Sequence, residues 1–238
     1  MDAGAGIAPG TIILLNGTGS AGKTSIARAL QDLAVEPLLH LGMDTFYVQV
    51  CPPKYLFRMV PPGEDPGDGA GAPESVLFLE APDTPEGRAA GTAIVVPPFG
   101  HALMSGMHHS VATLAGLGHR VVVDHVLWEP GWLRECVALW RDFPVAFVGV
   151  HCPLPELEAR EWARGDRSAK GVVRWQYTRV HRHGDLALPY DLDVETTTAT
   201  PHECAARILD WLAAGHQPAG FRALARAFGA AEDRRTAR

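Results

Sequence analysis

Apolar residues along this chain fall into short, mostly continuous runs, separated by stretches in which they recur every three or four positions. The runs are Ile12–Leu15, Leu38–Leu41, Val121–Asp124, Val145–Val150 and Leu192–Glu195. Short continuous apolar runs are the pattern of strands covered on both faces, as in a parallel sheet. Helical periodicity fills the intervals at 23–33, 101–117, 130–141, 154–164, 169–181 and 201–213. In the first, Ile26, Ala29, Leu30 and Leu33 share one helix face. In the second, Leu103, Met104, Met107, Val111, Leu114 and Ala115 make an apolar stripe. The last opens with Thr200, Pro201 and Glu203, an N-cap, a first-turn proline and a capping acid. Alternating strands and helices predict an α/β domain with a five-stranded parallel sheet and helices on both faces. Its ligands then bind at the carboxyl ends of the strands.

One segment breaks the rhythm. Residues 51–98 are rich in proline and glycine, and Val76–Leu79 and Thr92–Val96 can pair as a hairpin within them. A structureless loop of that length is unusual inside a compact domain. The segment is expected either to cover an acceptor pocket or to form a solvated insertion. The simplest division is one domain over residues 1–215, followed by a tail over 216–238 that is either a short amphipathic helix or frayed.

The densest chemistry lies in "GTGSAGKTS", residues 17–25, between the first strand and the first helix. That setting is what a G-x-x-x-x-G-K-[ST] phosphate loop requires. Gly17, Gly19 and Gly22 let the backbone bring its N–H groups close to phosphate oxygens, with Thr18, Ser20, Ala21 and Ser25 completing the cradle. The helix that starts near Lys23 aims its positive end at the same place. Lys23 is placed to reach the β- and γ-phosphates of ATP, and the Thr24 hydroxyl to take a position on Mg²⁺.

Three further places carry candidate chemistry. Asp44, just past the second strand, suits a general base that accepts the proton of an attacking hydroxyl; its alternative is to cap the segment that follows. Asp124, ending "RVVVD", suits a Mg²⁺ ligand at the end of a buried strand; it could instead orient the acceptor. His125 should point to the other side of that strand. In "EAREWARGDR", Arg160, Arg164 and Arg167 are spaced to share a helical face, where they can meet the charge of a transferring phosphoryl group. Their alternative is pairing with Glu156 and Glu161 on a solvated surface.

Composition sets bounds rather than adding chemistry. The 238 residues are 47% hydrophobic and 20% charged, with a net charge of −6 and a pI near 6.0. That balance gives no electrostatic footprint for nucleic acid. No apolar run approaches the ~18 residues of a membrane span. The N-terminus lacks the basic region of a secretory signal, so a cytoplasmic protein is expected; a homo-oligomer is compatible with all of this. Cys51, Cys136, Cys152 and Cys204 are scattered, as small buried hydrophobes rather than a bridge or zinc framework. Neighbouring His108 and His109 diverge on a helix and make a poor chelate.

The segments "ILLNGTGSAGKTSIARAL", "LGMD", "VVVDHV", "FVGVHC", "REWARGDR" and "DLDVETT" resemble the chloramphenicol phosphotransferase family. The match covers most of residues 11–50 and 119–212. The resemblance implies a P-loop kinase-like three-layer sandwich and ATP-dependent phosphorylation of a hydroxyl on a small-molecule drug. It makes Asp44 the base, residues 17–25 the cradle, and Arg164 and Arg167 lid cations. "DHV" departs from the paired acids of the family's third strand, and residues 51–98 match poorly. A kinase for a metabolite or sugar nucleotide remains a second reading of the same motifs. A regulatory nucleotide switch is a third, although the N-K-x-D guanine motif is missing.

Overall fold

The computed structural model describes residues 6–65, 76–164, 169–184 and 186–236. Along the chain come β1 (Ile12–Asn16), α1 (Lys23–Leu33), β2 (Leu38–Gly42) and a wide helical turn, Thr45–Val50. Then follow β3 (Phe57–Val60), β4 (Val76–Leu79), α2 (Pro85–Ala90), β5 (Ala93–Val95) and α3 (Pro98–Gly116). β6 (Arg120–His125), α4 (Pro130–Trp140), β7 (Val145–His151), α5 (Leu154–Ala163) and α6 (Val172–Tyr177) carry the chain onward. A two-strand ribbon, β8 (Arg182–His183) with β9 (Leu186–Ala187), precedes β10 (Leu192–Glu195), α7 (Pro201–Ala213) and α8 (Gly220–Thr236).

The five runs expected as strands form one sheet in the order β10-β7-β1-β6-β2, and every pair is parallel. Side chains alternate across it. Ile12 and Leu14 of β1 enter a core with Val121, Val123, Phe147, α3, α4 and α8. Ile13 and Leu15 enter the opposite core, with Val122, Val148, α1 and α7. Each of these fully buried aliphatic side chains contributes about 1.5–3 kcal/mol, so a one-residue slip of β1 would exchange both cores at once. Helices on both faces complete the three layers.

Residues 51–98 hold a second sheet. β4 pairs antiparallel with β5, as the hairpin reading expects, and β3 joins β4 in parallel. α2 lies between the paired strands, its start capped by Thr84, whose hydroxyl accepts from Gly87 N. Val60, Val76, Ile94 and Val96 are buried, the last three in the same core as Met43 and Tyr47. The helix expected over 169–181 is shorter. Gly171, in a left-handed conformation (φ 79°), starts it only at Val172, and after Tyr177 the chain turns into the β8–β9 ribbon. Beyond residue 215, α8 sends Phe221 and Leu224 into the core.

Candidate active site

The site begins at Asn16, the last residue of β1. Its side chain is fully buried: Nδ2 donates to the Val180 carbonyl and the Tyr190 hydroxyl, each at 2.7 Å, while Oδ1 accepts from Leu127 N at 2.9 Å. One amide thus fixes β1 to the loop after β6 and to the segment after α6. The Tyr190 hydroxyl lies 2.7 Å from His181 Nδ1. Burial, the His151 ring and the Lys23 charge push His181 down to about 4, so the ring is neutral and the hydroxyl donates to it.

From Asn16 the chain wraps into the loop Gly17–Gly22. A Cβ on Gly17 would collide with the Val150 carbonyl, and Gly22 sits at φ 90°, where only glycine is unstrained. Gly19 N donates to Gln176 Oε1 of α6 at 2.7 Å. Ser20 Oγ is buried with no hydrogen-bond partner among the described residues. Lys23, buried, donates from Nζ to the Thr18 carbonyl at 2.7 Å.

Opposite the loop, Asp124 ends the buried run of β6. Its Oδ2 accepts from Thr24 Oγ1 at 2.7 Å and from His40 Nε2 at 3.1 Å. Burial alone would raise its carboxyl; the hydrogen bonds from His40 and Thr24, with the Lys23 charge, outweigh it and hold the group below the ordinary aspartate range. Gly42 of β2 is required here, because a Cβ would come within 2.5 Å of Asp124 Oδ1.

A cleft of about 810 Å³ opens between these elements. Gly19, Ser20, Gly22, Lys23, Thr24 and Ser25 line one side; Asp44, Asp124, Arg160 and Arg164 reach it from the others. Gly17, Thr18 and Ala21 lie outside that lining. Asp44 is exposed, at the N-cap position of the Thr45–Val50 turn, and its side chain makes no capping bond, so the capping alternative is not realised. Thr45, Val48 and Gln49 of that turn wall the cleft beyond Asp44, and no described residue of 51–98 does.

The arginine segment differs from expectation. α5 stops at Ala163, and Arg164 is already extended (φ −75°, ψ 104°). Arg160 does pair with Glu156 (2.8 Å), yet its guanidinium also donates to Thr196 Oγ1 (3.1 Å) and to the Thr196 carbonyl (2.8 Å). Glu161 is no surface partner. It is fully buried, and its carboxylate accepts from Gly171 N (2.7 Å) and Val173 N (3.0 Å), capping α6. Arg167 lies outside the described residues.

The sequence offered no role for Asn16, His40 or Gln176, and offered Glu161 only as a surface partner of the arginines. A polar residue inside or ending an apolar strand was the available signal for the first two. For Glu161 and Gln176 there was none, because their partners are set by tertiary folding.

A glycine loop between β1 and α1, in a parallel sheet of this order, defines a P-loop kinase-like fold. The chain belongs to the chloramphenicol phosphotransferase-like family, whose model matches residues 10–213, and it is a phosphotransferase. Two Mycobacterium tuberculosis proteins, from strains H37Rv and CDC 1551, each carry the name "Putative O-phosphotransferase". Each is 30% identical over 224 residues, covering 94% of this chain and 92% of its own length. Among solved structures, the M. tuberculosis APS kinase CysC in complex with AMPPNP and APS aligns with a TM-score of 0.51 at 16% identity, over 86% of this chain and 98% of that one. The tunicamycin resistance protein of Deinococcus radiodurans aligns with a TM-score of 0.51 at 14% identity, over 85% and 95%. Those two likenesses concern the fold alone.

Proposed function

We propose that this protein transfers the γ-phosphoryl group of ATP to a hydroxyl of a small natural product or antibiotic, with Mg²⁺ as companion cation. The observation that carries the reading is the convergence, in one cleft, of Lys23, the Thr24–Asp124 pair, Asp44, Arg160 and Arg164. The cradle suits the phosphates: Gly22 holds a glycine-only conformation and the loop's N–H groups precede a helix start. Lys23 exchanges the Thr18 carbonyl for β- and γ-phosphate oxygens. The Thr24 hydroxyl and Asp124 carboxylate are hard oxygen donors that fit Mg²⁺. Bound there, the ion supplies charge neutralisation to the phosphates.

Asp44 accepts the acceptor's O–H proton as the oxygen forms its bond to the γ-phosphorus, and the β–γ bridging oxygen departs with ADP. Arg160 and Arg164, which line the same cleft, meet charge on the transferring group. The family description supports a drug-like acceptor.

An ATP-consumption screen against hydroxylated antibiotics and metabolites, with products identified by mass, tests the reading. Turnover should depend on one hydroxyl compound. Asp44→Asn should lower kcat by roughly 10²–10⁴-fold with nucleotide affinity unchanged. Hydrolysis of ATP indifferent to every acceptor, or full activity in Asp44→Asn, would overturn it.

A further inference from the structure

On the core side of β6, opposite Asp124, three side chains from three different elements meet: His108 of α3, His125 of β6 and Cys136 of α4. All three are fully buried. One nitrogen of each ring and the Cys136 sulfur lie within 4.8 Å of one another. The two Nε2 atoms are only 2.9 Å apart. We propose that His108, His125 and Cys136 form a binding site for a thiophilic d¹⁰ cation, Zn²⁺ or Cu⁺, which staples α3 and α4 to the back of β6.

The surroundings of His108 point this way. Its Nδ1 lies 2.6 Å from Glu135 Oε2, and Glu135 Oε1 is itself held by the Ser105 hydroxyl at 2.5 Å. The carboxylate therefore takes the Nδ1–H, which fixes the tautomer and aims a bare Nε2 lone pair inward. A carboxylate behind a histidine ring is the usual support of a metal-bound imidazole. The Nε2 of His125 faces that lone pair. Without a cation, one proton between the rings accounts for the contact, and His125 Nδ1 is left buried with no partner among the described residues.

With a cation, both Nε2 lone pairs and the Cys136 thiolate converge on it. The His125 proton moves to Nδ1, beside the Val126 backbone, and the Cys136 thiol proton is released to solvent as the metal–sulfur bond forms. Metal–nitrogen bonds of about 2.0–2.1 Å and a metal–sulfur bond of about 2.3 Å ask the rings to part slightly and the thiolate to swing inward.

The donor set also selects the ion. Two imidazoles and a thiolate, with no oxygen, exclude Mg²⁺ and Ca²⁺ and favour Zn²⁺ or Cu⁺. The cation balances the thiolate charge, which this setting would otherwise penalise. The Trp132 ring lies 5.6 Å from His125 and the Trp140 ring 5.8 Å from His108. Such a closed, aromatic-walled site is structural and is separate from the cleft.

The test uses full-length protein stripped with a chelator, reduced, and kept in excess Mg²⁺ to occupy the cleft. Zn²⁺ and Cu⁺ are titrated separately against chromophoric competitors, and Co²⁺ is added as a spectroscopic probe. Wild type should take up one equivalent, gain thermal stability with it, and show thiolate-to-cobalt absorption. Glu135→Gln should weaken binding by about 10–100-fold, Cys136→Ser should lose the thiolate band, and the exposed neighbour His109→Ala should behave as wild type. Whichever of Zn²⁺ and Cu⁺ saturates at one equivalent identifies the ion. A wild-type protein that binds neither, or a Cys136→Ser variant with unchanged stoichiometry and spectrum, overturns the proposal.

Discussion

Asp124 and His125 are neighbours in sequence, yet the two faces of β6 place them in different chemical worlds. Asp124 faces a cleft edged with oxygen donors and cations, and its carboxyl is held ionised by Thr24, His40 and Lys23. His125 faces a closed core of rings and sulfur. The strand's two-residue period does the sorting: one position turns toward α1 and β2, the next toward α3 and α4. Adjacency in sequence is therefore no guide to shared chemistry.

Substitutions on each side can break or sharpen this contrast. The largest effect is expected from Lys23→Ala, which removes a charge-assisted phosphate contact and should cut turnover about 10³-fold or more; steady-state kinetics would measure it. Its content of tightly held metal should match wild type. Asp124→Asn should come next: Mn²⁺ affinity in the nucleotide complex, read by electron paramagnetic resonance, should fall at least about 10-fold. The core face should again be untouched.

Asn16→Ala acts at the junction and should blur the contrast. It leaves Leu127 N and the Val180 carbonyl without the partners they have now, and should cost about 2–4 kcal/mol in chemical denaturation. The smallest effect concerns pH. The folded pKa of His181 is about 4, against 6.5 for an ordinary histidine. As pH falls from 6.5, the unfolded chain takes up a proton that the folded ring refuses, so stability declines until about pH 4 and then levels off. The ring is partly exposed, so the loss should amount to only about 1–2 kcal/mol. In His181→Asn the stability curve across that window should be flatter.

Strands buried on both faces were legible because a continuous apolar run of four to six residues fits little else, as in β1 and β7, whose residues are buried along nearly their whole length. Lys23 and Thr24 were legible from the glycine-loop motif, Asp44 and Asp124 from their places at or just past strand ends, and Arg160 and Arg164 from the arginine segment; all six line one cleft. The helix over 169–181 was misread because its true start depends on Glu161, a carboxylate whose burial no local pattern announces. His40 lies within the run Leu38–Leu41; its role comes from Asp124, placed beside it by β2–β6 pairing. Residues 51–98 were expected either to cover an acceptor pocket or to form a solvated insertion; Val76, Ile94 and Val96 are instead committed to the core, and no described residue of the segment lines the cleft. Periodicity reports that a residue is buried, not against what.

The bond from Gly19 N to Gln176 couples a phosphate loop to a helix far along the chain. An amide so engaged exchanges its hydrogen with solvent only when that bond opens, so Gly19 serves as a built-in reporter of the loop's contact with α6. Hydrogen-exchange mass spectrometry on the loop peptide, with and without nucleotide, would then time the opening of that contact rather than the openness of the cradle.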